Sequence, residues 1–370
     1  MIVKNKIKAI VCGTTFGQFY CEALTLLSDE IEFVGILSTG SERSKRCAAN
    51  YGVNSYTSID ELEDDIQLAC VAVRSGVLGG NGTELAEALL ERGINVIQEQ
   101  PVHYKDAERC IRAAKKNKVL YRIGDLYEFL PNIKCFIESA KAICSISKPI
   151  YLDIGGASQV TYPLVRILSE ALPSMRPFEI KQVGRDSHPF DAVSASIGGV
   201  TALMQIQNEV APDDPDNFMH YLHRITIITE QGRLCLEDTT GGVMWYGKMF
   251  VPVHDANTTI HADSSTDTSM SLPQHIRLYE SKENSFFEVF KAQWIPAIAE
   301  DISCMLKLCR EENKAEAGSY YTKTVYSAKV WQQLTAELGF PELIQASNNE
   351  ESDVTKTIKD LQKKYIGESL

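Results

Sequence analysis

The feature that most narrows the fold of this chain is the alternation, through its first 125 residues, of short apolar runs with amphipathic helical patterns. The apolar runs predict strands over 7–12, 31–37, 68–73, 94–98 and 119–123. Between them, the spacing predicts helices over 18–27, 42–51, 83–92 and 104–117. The run 68–73 has no polar face, as a strand covered on both sides requires. Strands alternating with helices imply right-handed crossovers and a parallel sheet. In such a sheet, ligands sit beyond the carboxyl ends of the strands. Chemistry is therefore expected just after Cys12, Leu37, Val73, Gln98 and Ile123.

The chain has 370 residues, more than one core usually holds, and its pattern changes after the fifth strand. Strands are predicted over 149–154, 179–183, 199–208, 222–229, 233–238 and 242–250. Helices are predicted over 165–172, 294–312 and 322–338, with another over 354–365 in a polar tail that begins at Ser347. A run of strands after a βαβ region predicts an α+β unit with a mainly antiparallel open sheet. The expected fold class is α/β, with a Rossmann domain over 1–125 and an α+β substrate and dimerisation domain over 126–370. The final helices are expected to pack back on the first domain.

Composition excludes several classes. The net charge is −12, from 37 basic and 49 acidic residues, which is not the footprint of a nucleic-acid binder. No apolar run reaches the roughly 18 residues that span a bilayer. The N-terminal lysines lead straight into the first strand, so no secretory signal is expected. Ten cysteines are scattered without a Cys-x-x-Cys pair. They read as reduced thiols of a cytoplasmic protein. His220 and His223 lie near Asp213, Asp214 and Asp216, but read as structural or solvated, and no metal is expected.

The first strand runs into Gly13, Thr14, Thr15, Phe16 and Gly17. Small residues here let a backbone approach a pyrophosphate at a helix N-terminus. Thr15 replaces the usual middle glycine of the dinucleotide fingerprint. The second strand chooses between cofactors. NAD enzymes usually end it with a carboxylate for the ribose hydroxyls. Here Ser38, Gly40, Ser41 and Arg43 follow instead, which suits a 2′-phosphate and predicts NADPH. Glu42 counts against that choice. After the third strand, Arg74 and Ser75 precede Gly76, Gly79, Gly80 and Gly82, a loop that reads as a close approach to a ligand, with Thr83 as a helix cap.

The fourth strand ends in Gln98-Glu99-Gln100-Pro101-Val102-His103. This layout resembles the glucose–fructose oxidoreductase and inositol dehydrogenase family, whose members carry Glu-Lys-Pro here with the lysine near the nicotinamide. Gln100 stands in place of that lysine, which counts against sugar-alcohol dehydrogenation. A closer resemblance is to thiazolinyl imine reductases. It is carried by residues 11–20, by Val73-Arg74-Ser75 with Gly79-Gly80-Asn81-Gly82-Thr83, and by Val96-Ile97-Gln98-Glu99 with Pro101 and His103. Leu126-Tyr127 with Leu130-Pro131, and Pro212 to Asp216 with His223-Arg224, add to it.

That resemblance implies NADPH-dependent reduction of a thiazoline C=N to a thiazolidine. The substrate would be a nonribosomal siderophore intermediate of the pyochelin and yersiniabactin type, tethered to a carrier protein. It also implies a homodimer closed through the second sheet. Family members carry a histidine at position 100 as a candidate proton donor. Gln100 has no proton to give at neutral pH. Tyr127 is then the first candidate acid and His103 the second. Glu99, Gln100 and Pro101 would border the cofactor. Two other functions remain open on this fold: a sugar or polyol oxidoreductase, and a non-catalytic NADP-binding sensor.

Overall fold

The computed structural model describes residues 6–185, 188–249, 272–311, 314–345 and 353–366. The first region is a six-stranded parallel sheet of β1 (Ile7–Cys12), β2 (Ile31–Leu37), β3 (Asn54–Tyr56), β4 (Leu68–Val71), β5 (Asn95–Glu99) and β6 (Tyr121–Gly124). The strand order is β3-β2-β1-β4-β5-β6. Helices α1 (Gly17–Leu26), α2 (Glu42–Tyr51), α3 (Gly82–Glu91) and α4 (Tyr104–Asn117) make the crossovers. The reversal of order at β1 places the loops after β1 and β4 side by side, at the crevice where such sheets bind ligands. β1 and β4 are buried almost throughout, as their unbroken apolar runs require. β3 has no sequence signal, because only Tyr56 of its three residues is buried.

The second region opens with α5 (Pro131–Ile146), which the sequence reading passes over. Its signals are Pro131 in the first turn and the buried stripe Ile133, Phe136, Ile137 and Ala140 at helical spacing. Then follow β7 (Pro149–Ala157), α6 (Thr161–Ala171), β8 (Phe178–Gly184), β9 (Phe190–Ile197), β10 (Val200–Gln207), β11 (Glu209–Val210), β12 (His223–Thr229), β13 (Gly232–Leu236), β14 (Val243–Gly247) and β15 (His275–Tyr279). An eight-stranded sheet has the order β15-β14-β13-β12-β7-β10-β9-β8. Only its β7–β10 pair is parallel, so the sheet is mainly antiparallel, as expected. β9 and β15 carry no clear apolar run. The predicted strand over 242–250 shortens to β14, and its last residue lies outside the described residues.

The chain ends with α7 (Phe286–Val289), a π-helical turn (Phe290–Trp294), α8 (Ile295–Glu311), α9 (Lys314–Leu338), the short strand β16 (Glu342–Leu343) and α10 (Asp353–Ile366). α9 covers the free edge of β6. The Tyr320 hydroxyl lies 3.1 Å from both the amide and the carbonyl of Ile123, and the Tyr321 hydroxyl accepts from the Tyr121 amide. The unpaired backbone groups of an edge strand are thus satisfied by side chains. Arg122 reaches Asp301 on α8 in a buried ion pair. Among the described residues, no helix is long and apolar enough to cross a membrane.

Candidate active site

The parallel sheet delivers its strand ends to one edge, and the site is assembled there. Gly13 takes φ +88°, and a Cβ on it would stand 2.9 Å from the Ala72 carbonyl oxygen. Only glycine fits that turn. Gly17 opens α1, and a Cβ there would press on Val11 at 3.1 Å. Thr14 is buried, whereas Thr15 is exposed. The Arg43 guanidinium reaches across from α2 and donates to Thr15 Oγ1 at 2.7 Å. A loop of small residues, an open helix N-terminus and a guanidinium beside it fit the phosphates of a dinucleotide. The hydroxyls that follow β2 serve the turn itself. Ser38 Oγ accepts from the Gly40 amide, and Ser41 Oγ caps α2 by accepting from the Ser44 amide. Of the 2′-phosphate candidates, Arg43 is the one left as a charged donor.

In the glycine-rich loop after β4, two glycines make close contacts within the loop itself. A Cβ on Gly80 would collide with the Arg74 carbonyl, and one on Gly82 with the Val73 carbonyl. These glycines let the loop fold on itself. The Ser75 hydroxyl donates to the Pro101 carbonyl at 2.6 Å and ties this loop to the end of β5, while Arg74 is exposed. Thr83 is not a cap. Helix α3 starts one residue earlier, and the Thr83 hydroxyl accepts from buried Gln98.

At the end of β5, Glu99 Oε2 accepts from the Tyr20 hydroxyl at 2.6 Å. Tyr20 reaches it across Gly124, where a Cβ would collide with the phenol oxygen. Burial pushes the Glu99 carboxyl up to about 8, with Asp125 and Asp301 adding to the rise against the Tyr20 hydrogen bond. Gln100 Oε1 is buried and has no hydrogen-bond partner among the described residues. His103 is turned to another task. Its Nδ1 accepts from the Lys105 amide at the start of α4, and its ring packs at a tilt against Tyr104.

The end of β6 leads through Asp125 into a 3₁₀ turn, Tyr127–Phe129. Asp125 Oδ1 accepts from the Tyr127 amide at 3.0 Å and fixes the turn. Tyr127 is only 7% exposed, and its hydroxyl has no hydrogen-bond partner among the described residues. Burial, and then the charges of Asp125 and Glu99, push its phenol well above the ordinary range. It therefore stays an O–H group at every physiological pH. Its ring meets the His223 ring edge-on at 5.0 Å. His223 Nε2 donates to the Val160 carbonyl, so its Nδ1 accepts from the Thr239 hydroxyl. Burial pushes His223 down to about 4, which makes it a neutral wall beside Tyr127.

One further residue escaped the sequence reading. Trp294, on the π-helical turn, lies 6.3 Å from both Phe16 and Tyr127, ring centre to ring centre. Phe19 and Phe290 complete the cluster at 5.5 and 4.6 Å. The indole Nε1 is buried without an acceptor among the described residues. Single π turns inside α-helices frequently mark functional sites, but no sequence rule announces one. The second region thus adds an aromatic wall to an edge built by the first.

Comparison with known proteins follows the same division. Residues 7–125 match the oxidoreductase family with an NAD-binding Rossmann fold. Residues 147–246 match the C-terminal domain of Irp3-like thiazolinyl imine reductases. No curated protein sequence matches the chain. Among solved structures, UDP-N-acetylglucosamine 3-dehydrogenase GnnA from Acidithiobacillus ferrooxidans superposes with a TM-score of 0.63 at 12% identity, over 90% of this chain and 98% of that one. The 3-ketoreductase KijD10 from Actinomadura kijaniata, in complex with NADP, gives 0.63 at 14% identity, over 92% and 99%. GenD2 from gentamicin A biosynthesis, in complex with NAD, gives 0.61 at 12% identity, over 92% and 97%. At such identity the likeness shows a shared fold.

Proposed function

Because the chain belongs to the oxidoreductase family with an NAD-binding Rossmann fold and carries an Irp3-like C-terminal domain, we propose that it is a thiazolinyl imine reductase. The substrate is a thiazoline in a carrier-protein-bound nonribosomal siderophore intermediate of the pyochelin and yersiniabactin type, and the product is the thiazolidine. The observation that carries this reading is the Tyr127 hydroxyl. It is protonated, unbonded within the described protein, and set at a strand end beside Glu99 and Asp125.

Gly13, Thr14, Thr15, Phe16 and Gly17 would hold the pyrophosphate of NADPH, and Arg43 its 2′-phosphate. Arg74, Ser75, Glu99, Gln100 and Pro101 would border its nicotinamide half. The bound cofactor supplies a hydride for the imine carbon. The protein supplies the proton. As the carbon is reduced, negative charge gathers on the thiazoline nitrogen, and the Tyr127 O–H donates there. A positioned acid of this kind typically contributes about 10²–10⁴-fold. The Gln100 amide can hydrogen-bond the substrate but cannot protonate it. Glu99, with its carboxyl raised to about 8, is largely neutral at pH 7 and places little negative charge near the developing anion. We place the reaction in the cytoplasm, where free thiols such as those of all ten cysteines persist. The active form is a homodimer closed through the outer face of the second sheet.

The test is NADPH consumption with a synthetic aryl-bisthiazoline thioester, with NADH in parallel. The expected result is oxidation of NADPH in preference to NADH and a product two hydrogens heavier. Tight NADPH binding with no consumption would overturn the imine reductase reading and leave the dinucleotide site in place.

A further inference from the structure

We propose that the groove between α4 and α9 is where an acidic face of the substrate-bearing carrier protein docks, an inference that rests on the carrier-bound imine reading. The chain is acidic overall, with a net charge of −12, so most of its surface repels an acidic partner. This groove reverses the sign. It encloses about 430 Å³ and is lined by Arg112, Lys115, Arg176 and Lys329 against one carboxylate, Glu108. Glu108 is already taken by Lys329 at 3.1 Å. Arg112, Lys115 and Arg176 have no carboxylate partner among the described residues.

The floor holds two of these cations in place without neutralising them. The Arg176 guanidinium lies over the Tyr326 ring at 4.1 Å, and the Lys115 ammonium over the Tyr321 ring at 5.5 Å. Stacking on a ring face leaves the N–H donors free for an incoming carboxylate. A site for one small anion would converge its donors on a point. Here they are spread over α4, α9 and the turn before β8, which suits an extended acidic surface.

One end of the groove reaches toward the start of α4. The Lys329 ammonium lies over the Tyr104 ring at 5.0 Å, and Tyr104 packs against the His103 ring at 4.6 Å, just past the end of β5. From there α4 carries Arg112 about 14 Å further along its axis, at roughly 1.5 Å per residue. A partner seated on the groove stands within one helix length of the strand ends at which Tyr127 waits.

The test compares wild-type protein with an Arg112→Glu/Arg176→Glu variant on two substrates: the thiazoline loaded on its carrier protein, and the same acyl group as a small soluble thioester. For the carrier-bound substrate, kcat/KM is expected to fall at least about tenfold in the variant, mainly through KM. Wild-type turnover of that substrate should fall as salt is added, whereas the variant should respond weakly. The small thioester should react alike in both proteins. Equal behaviour of the two proteins on the carrier-bound substrate would overturn the docking site, and so would an equal loss on both substrates. Binding of the fluorescently labelled carrier to the NADPH-loaded protein, read by anisotropy, gives an arm independent of turnover. Unchanged affinity in the variant would sink the docking inference even if the reaction is another one. Wild-type protein that binds the carrier but reduces neither substrate would sink the reaction instead. Inorganic pyrophosphate that binds the groove while leaving carrier affinity intact would reassign it to a small anion.

Discussion

The six-stranded and eight-stranded sheets contribute to the same site by different geometry. In the parallel sheet every strand points one way, so the loops after β1, β2, β4, β5 and β6 all reach one edge. Gly13, Arg43, Ser75, Glu99 and Tyr127 are therefore gathered by topology alone. In the antiparallel sheet, successive turns fall at opposite ends. That region contributes side chains from its face and from helices: His223 from β12, and Trp294 from the π turn ahead of α8. The first region supplies the groups proposed to hold the cofactor and protonate the substrate, and the second supplies a wall that is neutral and aromatic.

The largest expected effect strikes at that division of labour. Tyr127→Phe removes one oxygen that has no partner in the described protein, so folding and NADPH affinity should be unchanged. Turnover should fall by about 10²–10⁴. Parallel measurement of kcat and of NADPH binding by fluorescence tests both halves. An unchanged kcat would remove Tyr127 as the acid and break the claim that the strand ends supply the proton.

Glu99→Gln sharpens the comparison through pH. A carboxyl whose folded-state pKa is raised from 4.5 to about 8 stabilises the fold fully below its unfolded value. That contribution is lost as pH rises, because the unfolded chain releases the proton first. Wild-type stability should therefore decline between roughly pH 4.5 and 8 by a term the variant lacks. The variant should gain on wild type by on the order of 2–4 kcal/mol across that window. Urea unfolding of both proteins at pH 5 and pH 8 measures it. A constant difference at the two values would show that Glu99 is ionised throughout.

Much of the first region is legible in the sequence because topology converts linear position into spatial position. Cys12-Gly13 and Glu99-Gln100 can be located by asking where a strand ends. The surprises there are local. The Ser41 hydroxyl is seen to cap α2, and Thr83 looks like a cap until it is seen under Gln98. The second region hides more. β9 pairs along its whole length with β10, yet its sequence carries Ser194 and Ser196, because alternate residues face away from the core. Trp294 could not be foreseen, because its place depends on an extra residue wound into one helical turn and on contacts with Phe16, more than 270 positions earlier.

Arg43→Ala tests the cofactor half of the first region. A charge-assisted contact to phosphate lost at a partly exposed position should raise the Kd for NADPH about tenfold. NADH, which lacks the 2′-phosphate, should bind almost as before. Equal weakening of both would assign Arg43 to the shape of the loop, through its bond to Thr15.

The smallest expected effect probes the wall. Trp294→Phe keeps an aromatic ring between Phe16 and Tyr127 and deletes a buried donor that has no acceptor among the described residues. Removing an unsatisfied buried polar group offsets part of the packing lost with the smaller ring. Thermal stability should therefore stay within about 1 kcal/mol of wild type. If the indole N–H meets a heteroatom of the substrate, KM for the thiazoline should rise about 3- to 10-fold, since one neutral hydrogen bond is worth about 1 kcal/mol. NADPH affinity should not move. A stability loss with unchanged KM would make Trp294 part of the packing between the two sheets, and the second region would then shape the site without touching what binds there.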